Sequence, residues 1–422
     1  MKNTPLPMLF LLLAATVTAY AAPLTLTDAL AKRAAGSRTL KMVALDEQIA
    51  GDNVRASRST FFPRIDIQGG YTAQQAPQAI AMPQGSFETQ QADYAFLALS
   101  LNQTIYDFGR AAARVSHAEA GREAARFSYK IEEQELFLRT VTSYFRILKE
   151  QKFLDAADEE SKQMQDHLRV ARNLFEQGVA TRNDLLQAGV RLASSSQRLL
   201  ESANRLENCW LDFNNQLGES PDFRAELQEG TTIDLAALER PADEVVTTRA
   251  ELLLQQKSID AADSAVREAR TGYYPELYAR LGLDYVQNEK MKEQAIYSAT
   301  VGLKMNLFDG FATTSRYRQA VKNRSRNEER LLQLKSDLAL EYRIAVNDVK
   351  VARQRIAVTE AAIRQGEENL RINRDRYAEK VGTATDVIDA QTLLTQTRVD
   401  YYTALYDYQV ALARVKKARG EL

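Results

Sequence analysis

Two short runs put an acid where it can act on charge. Thr181-x-x-Asp184 and Thr383-x-x-Asp386 each set a hydroxyl three residues ahead of a carboxylate. That is the spacing of a capping box, which starts a helix. In that role Asp184 and Asp386 satisfy backbone N–H groups and suit the positive end of the helix dipole. Asp389 lies one turn beyond Asp386 on the same face, where capping makes no demand on it. Other chemistry is sparse. His117 and His167 are the only histidines, both in charged helical sequence, and read as surface residues rather than metal ligands. Cys209 is the only cysteine, so no internal disulfide supports the fold. Ser194, Ser195 and Ser196 fall inside a helical pattern, and the methionines do not cluster into a copper route. No nucleophile–base pair, metal cluster or phosphate loop stands out, so the expectation is a protein that is not an enzyme and takes no cofactor.

The elements that hold the acids are revealed by a duplication. Leu174–Ala188 and Arg376–Ala390 match at a shift of 202 residues: Phe175 falls on Tyr377, Val179 on Val381, Thr181 on Thr383, Asp184 on Asp386 and Ala188 on Ala390. The counterpart of Asp389 is Gln187. The same shift sets Ile105-Tyr106-Asp107 on Leu307-Phe308-Asp309. Phe61-Phe62-Pro63 recurs as Tyr273-Tyr274-Pro275 at a shift of 212, so the first copy carries ten extra residues between the two motifs. Helical periodicity predicts helices at about 25–60, 111–175, 181–217, 247–272, 312–378 and 383–419. From Leu331 to Tyr377 apolar or small residues recur in steps of three, four and seven, a coiled-coil seam. A helix of about 65 residues is ~100 Å long at 1.5 Å per residue, which a tube needs and a globular domain does not.

Between the helices the period changes to two. Ile65, Ile67, Gly69 and Tyr71 alternate with polar positions, as do Leu97, Leu99, Leu101 and Ile105. In the second copy Leu277, Ala279, Leu281 and Leu283 do the same, followed by Tyr297, Ala299, Val301, Leu303, Met305 and Leu307. Alternation marks strands, here two hairpins at about 63–107 and 275–309. The linking stretches Gln74–Gln91 and Gln287–Gln294 read as polar loops. Each strand is roughly 9–12 residues, enough for a tilted membrane crossing. Phe61, Phe62, Tyr106, Phe108, Tyr273, Tyr274, Phe308 and Phe311 bracket the helix-facing end, as an interfacial aromatic girdle does; packing at helix–strand junctions is the plainer account of the same residues.

Composition agrees. Of 422 residues 45% are hydrophobic and 26% charged, and 18 Gly with 9 Pro leave room for long unbroken elements. Residues 1–21 read as a signal peptide: Lys2, an apolar stretch from Met8 to Ala15, and Ala19-Tyr20-Ala21 as the cleavage site. Without Lys2 the charges are 54 basic against 56 acidic, a balance that gives no argument for nucleic acid. The expected domains are a first repeat at 22–220, an inter-repeat linker at 221–246 with a short helix near Leu235, and a second repeat at 247–422. Four strands cannot close a barrel, and an open edge in lipid leaves backbone groups unpaired at several kcal/mol each. Several chains must therefore combine, and three would give twelve strands.

The aromatic-aromatic-Pro strand entries, the TIYDFG and NLFDGF strand exits, and the paired FEQGVATRNDLLQA and YAEKVGTATDVIDA turns resemble the TolC-type outer-membrane efflux proteins over essentially the whole mature chain. The resemblance implies the fold class: α plus transmembrane β, a duplicated helix–β-hairpin–helix protomer. Three protomers form a 12-stranded β-barrel in the outer membrane, continued by a 12-helix α-barrel through the periplasm. It implies a passive exit duct of a tripartite efflux pump or type I secretion system. The partners would be the homotrimer's own copies, outer-membrane lipid, a periplasmic adaptor (membrane fusion) protein and an inner-membrane pump of RND, ABC or MFS type, without nucleic acid. It further implies that Asp386 and Asp389 line the periplasmic entrance as rings, six crowded carboxylates that favour cations and raise one another's pKa. Tyr377 matches a gate-latch tyrosine and Asp184 its acidic partner. A second latch is expected to be absent, because its arginine position is Gly382 and the partner position Asn183. The turn glycine is Gly178 in copy one but Lys380 in copy two, where a left-handed backbone would be strained.

Two rival classes fit less well. A periplasmic adaptor carries one helical hairpin flanked by small β domains, against two matched β-hairpins here. A structural coiled coil would run continuous heptads, which the strand segments interrupt twice.

Overall fold

The computed structural model describes residues 23–229, 233, 240–379 and 381–422. The signal peptide expected at 1–21, the short helix expected near Leu235 and the turn conformation at Lys380 lie outside the described residues. Most of the chain is helical: α1 (Leu26–Gly36), α2 (Arg38–Arg58), α3 (Arg110–Glu176), α4 (Arg182–Leu217), α5 (Ala242–Thr247), α6 (Ala250–Thr271), α7 (Ala312–Ala378) and α8 (Ala384–Arg419). Helices α3 and α7 each run 67 residues. The single helix expected at 25–60 is instead two. Ser37 interrupts it, and its hydroxyl accepts from the Leu40 N–H at 3.1 Å as the cap of α2.

Among the described residues six strands accompany the helices: β1 (Arg64–Ala73), β2 (Ala79–Met82), β3 (Gly85–Glu88), β4 (Asp93–Tyr106), β5 (Glu276–Val286) and β6 (Ala295–Lys304). Strands β1, β4, β5 and β6 form one antiparallel sheet in that order, so the two repeats are joined through the β4–β5 ladder. The stretch read as a polar loop holds a second, two-stranded sheet, with Ile80 opposite Phe87 across β2 and β3. Glycines let rings lie across the main sheet. A Cβ on Gly302 would fall 2.6 Å from the ring of Tyr278, its partner on β5. Each strand of the main sheet enters or leaves a helix. After β4 both Phe108 (φ 54°) and Gly109 (φ 90°) are left-handed, and after β6 both Gly310 (φ 64°) and Phe311 (φ 68°) are. The turn needs two left-handed residues; each copy makes one of them glycine and strains a phenylalanine at the other. The preceding acid then caps the helix: Asp107 Oδ2 accepts from Ala111 N at 2.7 Å, and Asp309 Oδ2 from Thr313 N at 2.9 Å.

The chain divides into two compact units. Of the described residues, the first comprises those within 23–36, 140–229 and 359–406; the second those within 37–139, 240–358 and 407–422, with Ile233. The first has an aromatic core. Tyr144 and Phe145 of α3, Trp210 and Phe213 of α4 are buried, with Tyr144 and Phe213 ring centroids 6.3 Å apart. The Tyr144 hydroxyl donates toward Leu24 O at 3.0 Å and Gln228 O at 3.2 Å, pinning two extended segments that bridge each other through Leu24 and Leu227. The second unit carries the sheet and a buried guanidinium, Arg249, held by Glu251 and Glu341.

Candidate functional site

The acids singled out in the sequence lie at the two helix turns of the first unit. At the first turn the chain leaves α3 through Gly178, left-handed at φ 74°, and Thr181 caps α4. Thr181 N donates to Asp184 Oδ2 at 2.9 Å and Asp184 N to Thr181 Oγ1 at 3.2 Å, a reciprocal capping box. The second turn repeats the pattern: Thr383 N donates to Asp386 Oδ2 at 2.9 Å and Asp386 N to Thr383 Oγ1 at 3.2 Å. These bonds favour the ionised carboxylates. The Thr181 hydroxyl and N–H hold Asp184 below the usual carboxylate range, and the Thr383 N–H and hydroxyl do so for Asp386. Within one chain the cap therefore acts on Asp386 in the direction opposite to that expected from crowded acids.

A cavity of about 420 Å³ opens between the turns. Tyr377, Asp184, Thr383, Arg191 and His167 line it. Tyr377 and Asp184 thus face one space, but among the described residues no hydrogen bond joins them. At the expected position of a latch arginine, a Cβ on Gly382 would meet Arg376 Cβ at 3.1 Å and Tyr377 N at 3.3 Å. The turn closes over this residue.

Two residues were not anticipated. Arg191 of α4 reaches Asp389 of α8, Nη1 to Oδ1, at 3.3 Å. His167 is half-buried: it lines the cavity, and this burial, aided by the charge of Arg191, lowers its pKa. His117 is exposed, its Nδ1 2.9 Å from Ala261 O. The seven-residue spacing of arginines on α4 was the available signal for Arg191; for His167 there was none, because its burial comes from packing between helices.

The eight aromatic residues lie at the ends of the strands and are exposed. Phe108 stacks on Tyr274 at 5.1 Å and meets Tyr106 edge-on at 4.8 Å; Phe308 and Phe311 pair at 5.7 Å.

Comparison with known proteins identifies the relatives of this arrangement. The family model described as outer membrane efflux protein matches residues 29–219 and 243–421. The outer membrane protein TolC of Vibrio cholerae is 24% identical over 402 residues, covering 91% of this chain and 87% of that protein. The alkaline protease secretion protein AprF of Pseudomonas aeruginosa is 22% identical over 390 residues, covering 90% and 81%. Among solved structures, the CmeC outer membrane channel of Campylobacter jejuni superposes with a TM-score of 0.83 at 16% identity, covering 94% of this chain and 85% of that one.

Proposed function

We propose that this chain, which belongs to the outer membrane efflux protein family, works as one third of a homotrimeric exit duct. The duct lies in the outer membrane, extends into the periplasm, and serves an efflux pump or a type I secretion system. The observation that carries the trimer is the open sheet. Among the described residues β1 and β6 each have one strand neighbour, so each has a free edge. Their apolar residues, Ile65, Ile67 and Tyr71 on β1 and Tyr297, Val301 and Leu303 on β6, are exposed. A sheet of this kind is stable in lipid only when other copies complete the ladder. Three copies give twelve strands, and the eight exposed aromatics then sit where the barrel meets the aqueous interface, as a girdle.

The two repeats, 22–220 and 247–422, joined at 221–246, supply the helices of the periplasmic barrel. The tip turns receive a periplasmic adaptor, and an inner-membrane pump of RND, ABC or MFS type provides energy, so substrate passes without chemistry. Asp386 and Asp389 from three chains line the periplasmic entrance and favour cations. Tyr377 and Asp184, which share the tip cavity, form the latch of the gate. Fractionation with chemical cross-linking tests the assembly: trimers are expected in the outer-membrane fraction, and a soluble monomer would overturn the reading. Asp386→Ala combined with Asp389→Ala tests the entrance: divalent-cation block of single-channel current should weaken, and unchanged block would remove these residues from the pore lining.

A further inference from the structure

Three arginines recur on α4 at seven-residue steps: Arg191, Arg198 and Arg205. Seven residues return a helix nearly to the same face, so the three form a column. Two of them are held by acids of α3. Arg205 Nε donates to Glu150 at 3.1 Å and Arg198 Nη2 to Glu160 at 2.7 Å, and these glutamate side chains are only 10% and 7% exposed. The next rung toward the tip breaks the pattern. The α3 residue beside Arg191 is His167, seven residues on from Glu160, and not an acid. Its lowered pKa leaves it uncharged at neutral pH. Arg191 turns instead to Asp389 on α8. The position that matches Arg191 in the second repeat is Leu393, so the cation belongs to one copy alone.

We propose that Arg191 sets the cation affinity of the entrance by acting as a tethered counter-ion for Asp389, and that the missing acid at His167 is what frees it to do so. The inference rests on the entrance-ring reading above. With Arg191 in place, three of the ring's six carboxylates are compensated, and Asp386 carries the remaining charge. An exposed pair of this kind is weak. That suits the role, because a soluble divalent cation must be able to compete with the guanidinium for Asp389.

The test uses the reconstituted trimer in planar bilayers, with magnesium as the probe and cross-linking to verify assembly of every variant. Arg191→Gln should lower the half-blocking magnesium concentration by roughly threefold or more, since three bare carboxylates return near the axis under partial salt screening. His167→Glu restores the α3 acid, should draw Arg191 off Asp389, and should shift block in the same direction. Arg191→Lys keeps the charge and should keep wild-type block. Wild-type block in both Arg191→Gln and His167→Glu, alongside weakened block in Asp386→Asn with Asp389→Asn, would overturn the role of Arg191 while leaving the ring intact. A Lys variant that behaves like the Gln variant would overturn charge compensation as its basis. Unchanged block in the double aspartate variant would bring down the ring and the proposal with it.

Discussion

The α4 column makes a graded prediction about stability. In Arg198→Leu the carboxylate of Glu160 stays buried against α3 without its cation. Removing one partner of a fully buried pair costs about 3–5 kcal/mol. The side chain of Arg198 is 48% exposed, so water already reaches this pair and the cost should be smaller. We expect about 2 kcal/mol for Arg198→Leu, within the range for a desolvated charged group left unsatisfied. Arg205→Leu should be similar, because Arg205 and Glu150 are exposed to nearly the same degree as Arg198 and Glu160. Arg191→Leu should cost less than about 0.5 kcal/mol, because its partner Asp389 is 67% exposed and can rehydrate. Hydrogen exchange on the assembled protein reads the difference. A loss of about 2 kcal/mol in local opening corresponds to roughly thirtyfold faster exchange of amides on α3 and α4 around the pair. Arg198→Leu with Glu160→Leu should recover most of the loss, since no buried charge remains. Equal effects at all three arginines would refute the reasoning, as would a double variant no better than Arg198→Leu.

Three further outcomes follow from the tip. Asp386→Asn retains an oxygen that can accept from Thr383 N, so divalent block should weaken with the turn still protected from exchange; Asp386→Ala should weaken block and expose the turn, and equal exchange in both would deny the cap. Tyr377→Phe should raise single-channel conductance if the hydroxyl takes part in the latch, whereas unchanged conductance would leave Tyr377 as a packing residue of the seam. The pKa of His167 is lower in the folded chain than its usual value of about 6.5, so the unfolded chain takes up its proton first. Its contribution to stability is therefore complete above about pH 6.5 and falls as pH drops below that. Arg191 and Asp184 line the same cavity, and Asp184, held low by the Thr181 hydroxyl and N–H, stays ionised through this window. His167→Gln should flatten that part of the stability–pH curve, and an unchanged slope would exclude the histidine as its source.

The sequence made the elements legible where a local signal existed. The change from period three-to-four to period two marks β1, β4, β5 and β6 because each has a face in lipid or water. The pairing of β4 with β5 has no local signal, since it joins segments far apart in the chain, from Phe96 with Val286 to Tyr106 with Leu277. The Ser37 break was visible as Gly36-Ser37, but a continuous apolar period across it masked the cap. Strands β2 and β3 were hidden by Pro77 and Pro83, which read as breakers although Ile80 and Phe87 alternate correctly on either side of a tight turn. The tip caps could be read from Thr181 and Thr383 because a capping box is a local device. The Tyr144 anchor and the partner of Arg191 could not, since both depend on residues brought together only by packing.

The ion pair at the tip joins two positions that the duplication does not match to each other. If copy two repeated copy one, Arg191 would face a glutamine at position 389; if copy one repeated copy two, Asp389 would face a leucine at position 191. The observed pair requires two departures at once. Copy one has Arg191 where copy two has Leu393, and copy two has Asp389 where copy one has Gln187. Either change alone leaves a lone charge at the tip; both together give an ion pair that ties α4 to α8. The caps, which act within one turn, are the same in both copies, and the charges that act between copies are not. The tip separates its two tasks in this way: repeated residues start the helices, and unrepeated residues tie one helix to the other.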